Sequence, residues 1–201
     1  QDCYNKLKEV DMNKNYSVIG ILGFIMLVYS IVSAIFYNNI YWYSYFVIGG
    51  TLFLAYLNFM LKNDSLITRF NKNKINEFKK YVYYLLFAIS IEFIGRYILN
   101  LWEYSYFNLN DIIFNVLIIG YPFAFFFVYE SFIMIRSKFD FYISLLISII
   151  INALIHEYPN NFVYEWKYNI PNVSFEILKL NIVVWFGWII LIIIPLLVNN
   201  K

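Results

Sequence analysis

The chain has little of what most soluble chemistry uses. Its 201 residues include one cysteine, Cys3, and one histidine, His156. A lone cysteine forms no internal disulfide, and nothing near Cys3 lowers its thiol pKa, so we read it as inert. A single histidine excludes most metal centres and histidine relays, and we expect neither a metal site nor a cofactor. Only 14% of residues are charged, against about 25% in an ordinary soluble domain. The net charge of +2 gives no basis for a nucleic-acid partner. Glycine and alanine are scarce, so collagen-like sequence is excluded.

What is present is apolar. Hydrophobic residues make up 62% of the chain and aromatic residues 23%, more than a water-soluble globule of this length can hide. The class that remains is an all-α integral membrane protein, read as a single polytopic domain over residues 1–201. A span needs about 20 apolar residues to cross a hydrocarbon core of about 30 Å. Six stretches qualify, at about 17–37, 41–61, 81–101, 112–134, 141–157 and 177–198. The polar pair Asn38-Asn39 divides the first long run. The N-terminal stretch is polar, mixed in charge and without a cleavage pattern, so it is not read as a signal peptide.

Lysine and arginine set the expected orientation. Loop 62–80 carries Lys62, Arg69, Lys72, Lys74, Lys79 and Lys80, and the fourth connection carries Arg136 and Lys138. Both fall on one side of a six-helix alternation, so both termini are expected in the cytoplasm and the protein in the cell membrane. Loop 62–80 is read as a solvated topogenic loop, with a short amphipathic helix as the alternative.

Three outer turns carry similar aromatic clusters: Trp42-Tyr-Ser-Tyr-Phe46, Trp102-Glu-Tyr-Ser-Tyr-Phe107 and Trp166-Lys-Tyr168. Glu92 precedes Trp102 by ten residues and Glu157 precedes Trp166 by nine. Two readings follow: two or three related helical hairpins, or an aromatic belt at the membrane boundary.

Ionisable and polar residues inside spans are costly and mark sites by default. The third span carries Glu92, Arg96 and Asn100 at four-residue spacing, on one face of an α-helix. The fifth carries Ser144, Ser148, Asn152 and His156 at the same spacing, followed by Glu157. We expect the two stripes to face each other near the outer surface, with side chains within about 8 Å, a gap one water closes. The bland alternatives are an ion pair between Glu92 and Arg96, a helix-capping His156 and interhelical glue. The fourth span adds Asn115, Pro122 and Glu130. The sixth is expected to begin with Lys179 and Asn181 and to hold Trp185 and Trp188 deeper.

Three fragments resemble the CAAX-type intramembrane protease superfamily. Ile91-Glu92-Phe-Ile-Gly-Arg96 is similar to its paired Glu followed by Arg, with one Glu missing. Phe126-Phe-Val-Tyr-Glu130 is similar to its Phe-x-x-x-His, with Glu in the place of His. His156-Glu-Tyr-Pro-Asn160 fits its His-x-x-x-Asn. The fragments cover residues 91–160. Because both departures fall on residues the family's chemistry needs, the chain is not read as a member. Separately, about 200 residues with six spans and cytoplasmic termini resemble the substrate-binding subunits of energy-coupling-factor vitamin transporters.

The expected function is an intramembrane acid–base enzyme acting on a lipid or isoprenoid. Glu92, Glu157 and His156 are its candidate catalytic groups. Arg96, Asn100, Asn152, Trp102 and Trp166 are its candidate substrate-binding groups. Membrane lipids and a hydrophobic small molecule are the expected partners. The alternatives are a substrate-binding component of a small-molecule transporter and a structural membrane subunit.

Overall fold

The computed structural model describes residues 2–170, 173 and 175–199, with side chains from residue 16 onward. Cys3 lies outside the described side chains. Among the described residues, seven helices and two short ribbons follow one another: α1 (Asp2–Tyr37), α2 (Trp42–Met60), α3 (Leu66–Lys72), α4 (Lys74–Ile98), β1 (Trp102–Tyr104), α5 (Leu109–Arg136), α6 (Phe141–Val163), β2 (Trp166–Tyr168), β3 (Glu176–Ile177), β4 (Leu180–Asn181) and α7 (Ile182–Asn199). Six segments are long and apolar enough to cross a membrane: Tyr16–Tyr37 within α1, and α2, α4, α5, α6 and α7. The protein is therefore an all-α multi-pass membrane protein.

Helix ends follow local chemistry more than hydropathy. Asn38 takes a left-handed φ of 49° and stops α1. The Asn73 side chain accepts the Asn76 amide, so α4 starts at Lys74 and not near 81. Asp140 caps α6 through the Ile143 amide. α6 also runs beyond the expected 157, through Pro159 to Val163, and stops where Tyr164 has φ 55°. Glu157 is therefore an interior helical residue and not the outer end. The sixth span starts at Ile182, not 177, because residues 176–181 form a hairpin. Its turn residues Leu178 and Lys179 have φ of 52° and 61°. Lys179 and Asn181 belong to that hairpin rather than to the helix. Part of the basic loop 62–80 is helical as α3, capped by a reciprocal Ser65–Thr68 box.

Two helices leave α geometry. α4 becomes a π-helix over Phe93–Ile98, and α5 is a π-helix over Ile112–Gly120. Pro122 follows the second, and its missing N–H leaves the Ile118 carbonyl without its α-helical donor. The Tyr81 hydroxyl donates to that oxygen at 2.9 Å, tying α4 to α5.

α5 is the central element, and Ala124, Phe125, Phe126, Phe127 and Val128 bury around its circumference. It packs against α2, α4, α6 and α7, while α1 lies along α2 and α6. The α1–α2 crossing is close. A Cβ on Gly23 would stand 2.6 Å from the Phe53 amide nitrogen, and one on Gly49 would stand 2.6 Å from that of Leu27. This is small-residue packing of the kind that holds helices together in lipid.

One end of the bundle carries the basic segments 62–80 and 136–138. A buried ion cluster lies there: Glu130, 0% exposed, accepts from Arg69 at 2.5 Å, the Leu66 amide at 2.8 Å and Asn58 at 2.9 Å. Arg69 also pairs with Asp64 at 2.9 Å and with Glu77 at 3.5 Å, and Lys80 pairs with Glu77 at 2.6 Å. Burial opposes the charge on Arg69, but Glu130 and Asp64 outweigh it and hold the guanidinium firmly protonated. The opposite end, where β1 and β2 lie, we term the ribbon end.

Candidate functional site: a ribbon-covered cavity

The second and third aromatic clusters form one antiparallel ribbon. Trp102 lies opposite Tyr168, Glu103 opposite Lys167 and Tyr104 opposite Trp166. Each strand is held down by a buried carboxylate. Glu92 accepts from Tyr104 Oη at 2.6 Å, Tyr121 Oη at 3.0 Å and Trp102 Nε1 at 3.2 Å. Glu157 accepts from Tyr168 Oη at 2.8 Å, Trp188 Nε1 at 3.0 Å and Trp166 Nε1 at 3.1 Å. The two halves repeat the same plan: a helical Glu, then a strand Trp-x-Tyr that returns to it. Gly95 makes room for the first half, since a Cβ there would come within 1.8 Å of the Trp102 ring. The first aromatic cluster joins differently, with Trp42 stacked on Trp166 at 6.0 Å and Tyr43 edge-on to it at 5.0 Å.

Under the ribbon lies a cavity of about 480 Å³, within the range of ligand pockets. Its walls come from α4, α5 and α7, and its ceiling from Trp102, Tyr104, Trp166 and Tyr168. Ile94 of α4, Leu99 just after it, and Phe186 and Ile190 of α7 line it and are themselves exposed. The exposed part of the lining thus lies along α4 and α7. These helices converge at the basic end, where Asn199 donates to Tyr84 at 2.8 Å.

Three polar groups facing the cavity could carry chemistry: Glu157, Glu165 and Tyr43. Glu157 is saturated by its three donors. Glu165 is 3% exposed, and its Oε2 has no partner among the described residues. Burial pushes its carboxyl well above the usual carboxylate range, against a smaller opposing effect of the Tyr43 backbone amide. Tyr43 Oη lies 2.8 Å from His156 Nδ1. The imidazole is 0% exposed and caged by Trp188, Phe127 and Phe46, with ring centroids at 4.8, 4.9 and 5.0 Å. His156 therefore sits one layer behind the cavity wall, not at an outer helix end. Among the described residues no three His, Cys, Asp or Glu side chains gather within reach of one metal ion.

The raised Glu165 pKa has a definite sign in stability. The folded carboxyl keeps a proton that the unfolded chain, titrating near 4.5, gives up. That contribution is full below the unfolded pKa and is lost as pH rises toward the folded one. Thermal midpoints of wild type should thus fall over this window relative to Glu165→Gln. Parallel midpoint-against-pH curves for the two proteins would refute the assignment.

The structure redistributes the sequence-predicted site. α4 packs on α5 and α7, and α6 packs on α1, α5 and α7. The two polar stripes are therefore not on facing helices. Asn100 is exposed beyond the end of α4 with φ 50°, and it is no part of the cavity. Glu92 and Arg96 do not form the direct ion pair weighed as the bland alternative: Glu92 takes Tyr104, Tyr121 and Trp102 as its donors, and Arg96 meets aromatic rings. Its guanidinium lies over the Tyr97 and Tyr104 rings at 5.1 and 5.4 Å. Asn152 donates to Ser131 Oγ and to the Ser148 carbonyl, both at 2.8 Å, and so faces α5. Trp102, Trp166 and Glu157 line the cavity. Glu92 stands behind Trp102, Tyr104 and Tyr121.

Sequence reasoning missed Glu165, Tyr43 and Tyr121. Glu165 looked like a loop charge that counts only toward topology. Tyr43 lay in an aromatic cluster open to the belt reading, and Tyr121 was not singled out.

The chain matches no protein-family model, and comparison with curated proteins and with solved structures returns no match. The three protease-like fragments also do not assemble. Glu92 lies beneath β1, Glu130 lies in the basic-end ion cluster and His156 pairs with Tyr43. What the fold defines is a ribbon-covered cavity within a multi-pass helical bundle.

Proposed function

We propose that this protein is an intramembrane acid–base enzyme whose substrate, a lipid or isoprenoid chain, enters the cavity from the bilayer between α4 and α7. The observation that carries the reading is the pairing, in one apolar cavity, of Glu165, a buried carboxyl with one free oxygen among the described residues, with the Tyr43–His156 pair. Neutral Glu165 donates a proton to one carbon of a double bond. Tyr43 Oη takes a proton from a neighbouring carbon while passing its own to His156 Nδ1. The sum is an isomerisation with no net proton change, a reaction an apolar pocket suits because it excludes water. Glu92 and Glu157 serve as positioning residues that hold the ribbon over the substrate. The basic end faces the cytoplasm by its lysine and arginine excess, in the cell membrane. The repeated Glu, Trp-x-Tyr unit supports descent from duplicated hairpins. The ribbon, closing the cavity toward the aqueous side, gives some support to a second reading, a substrate-binding component of a transporter.

Gly187 supplies the test. It lines the cavity, and a Cβ there meets nothing within 4 Å. Gly187→Phe should fill the space without disturbing the fold. Wild-type protein purified in nanodiscs should carry a hydrophobic molecule, seen by mass spectrometry, that Gly187→Phe lacks at an unchanged thermal midpoint. Glu165→Gln should retain that molecule but not convert it. Identical bound-lipid profiles in wild type and Gly187→Phe would reject the cavity as the site.

A further inference from the structure

The polar stripe of α6 has no part in the cavity, yet it is the most regular polar feature of the molecule. Ser144, Ser148, Asn152 and His156 are all 0% exposed. They recur every fourth residue on a plain α-helix, so they lie one above another. Hydrogen bonds within the bundle leave part of the column unsatisfied: Ser148 Oγ, Asn152 Oδ1 and His156 Nε2 are each buried without a partner among the described residues. Interhelical glue would use these atoms. Unsatisfied polar atoms inside a membrane bundle are costly, and buried water characteristically fills that role. Successive members are about 5–6 Å apart at Cβ, a gap a single water bridges.

The column also runs between two defined places. Its lower member, Ser144, lies one turn from the helix start, beside exposed Arg136, Lys138 and Asp140 at the basic end. Its upper member, His156, reaches the cavity through Tyr43. From Ser144 to His156 the rise is about 18 Å, more than half of a core of about 30 Å. The groups facing His156 are Tyr43 and Phe46 from α2, Phe127 from α5 and Trp188 from α7. Tyr43 is the only one of these that titrates. Glu157, next in sequence, is turned to Trp166, Tyr168 and Trp188. No fixed charge blocks the column among the described residues.

We infer that α6 carries a proton path from the basic-end solution to His156, through water-bridged Ser144, Ser148 and Asn152. Its operation does not require a bound substrate. It rests on the proposed function only in what it would serve, resetting the Tyr43–His156 pair between turnovers. The proton moves as a hydrogen-bond relay: each bridging water accepts one proton and releases another, so no co-reactant is consumed.

The single histidine makes the test clean, because ¹⁵N-histidine labelling reports His156 alone. Protein in nanodiscs is transferred to D₂O, and exchange of the imidazole N–H is followed by NMR. Ser148→Ala removes a hydroxyl that has no partner, so a purely structural role predicts no change. The path predicts exchange slowed at least tenfold, restored by Ser148→Thr. Gly187→Phe, which plugs the cavity, should leave exchange at the wild-type rate. Unchanged exchange in Ser148→Ala, or slowing by Gly187→Phe instead, would overturn the path while leaving the cavity's ligand test unaffected.

Discussion

Glu130→Ala should be the most damaging single substitution outside the cavity, costing on the order of 3–5 kcal/mol. The carboxylate is fully buried and joins α2, α3 and α5 through Asn58, Leu66, and Arg69. Truncation strands the Arg69 guanidinium, which is itself mostly buried, between Asp64 and Glu77. Removing the fully buried partner of a buried charge costs more than the intact pair contributes, and the remaining contacts to Asp64 and Glu77 offset only part of it. The double variant Glu130→Leu with Arg69→Met should therefore recover a substantial part of the loss. Denaturant titration in detergent measures both. A double variant no better than the single would mean that Asn58 and Leu66, not Arg69, are the partners that matter.

The second large effect is expected at Glu157. Glu157→Ala leaves two indole N–H groups and one phenol hydroxyl without their acceptor. Each stranded buried donor costs about 1–3 kcal/mol. The sum is reduced where Tyr168, which is partly exposed, finds water. Glu157→Gln keeps one acceptor oxygen and should cost clearly less. Because the ribbon links the two halves, Glu157→Ala should also loosen β1, read as faster amide exchange at Trp102–Tyr104. Undisturbed exchange in β1 would show that the strands are seated independently.

These outcomes mark where sequence reasoning held and where it did not. The six spans were legible because apolar length is a strong signal. Their ends were not, because Asn73 and Asp140 draw helices into polar connections and left-handed residues such as Asn38 and Tyr164 stop them. Four-residue arithmetic worked on α6, which stays α-helical through its stripe. On α4 it did not carry past Glu92, because the helix is π over Phe93–Ile98 and ends before Asn100. The likeness of Trp102-x-Tyr104 to Trp166-x-Tyr168 was visible in the sequence. Their pairing was not, since strand registers between distant segments leave no local trace. Glu165 carries no pattern at all, and only its burial beneath the ribbon sets it apart.

The local reach of the two carboxylate latches has a consequence for how the chain is made. Glu92 finds two of its donors ten and twelve residues later, and Glu157 finds two of its own nine and eleven residues later. Each acidic residue thus enters the bilayer with its first solvating groups in the connection that follows it. Neither waits for a distant helix to be synthesised before its polar oxygens are covered. The third donors, Tyr121 and Trp188, come from helices that arrive afterwards. The contact order of the two latches therefore favours each carboxyl being covered first by its own following segment, with the distant donors and the pairing of the two strands added once the later segments exist.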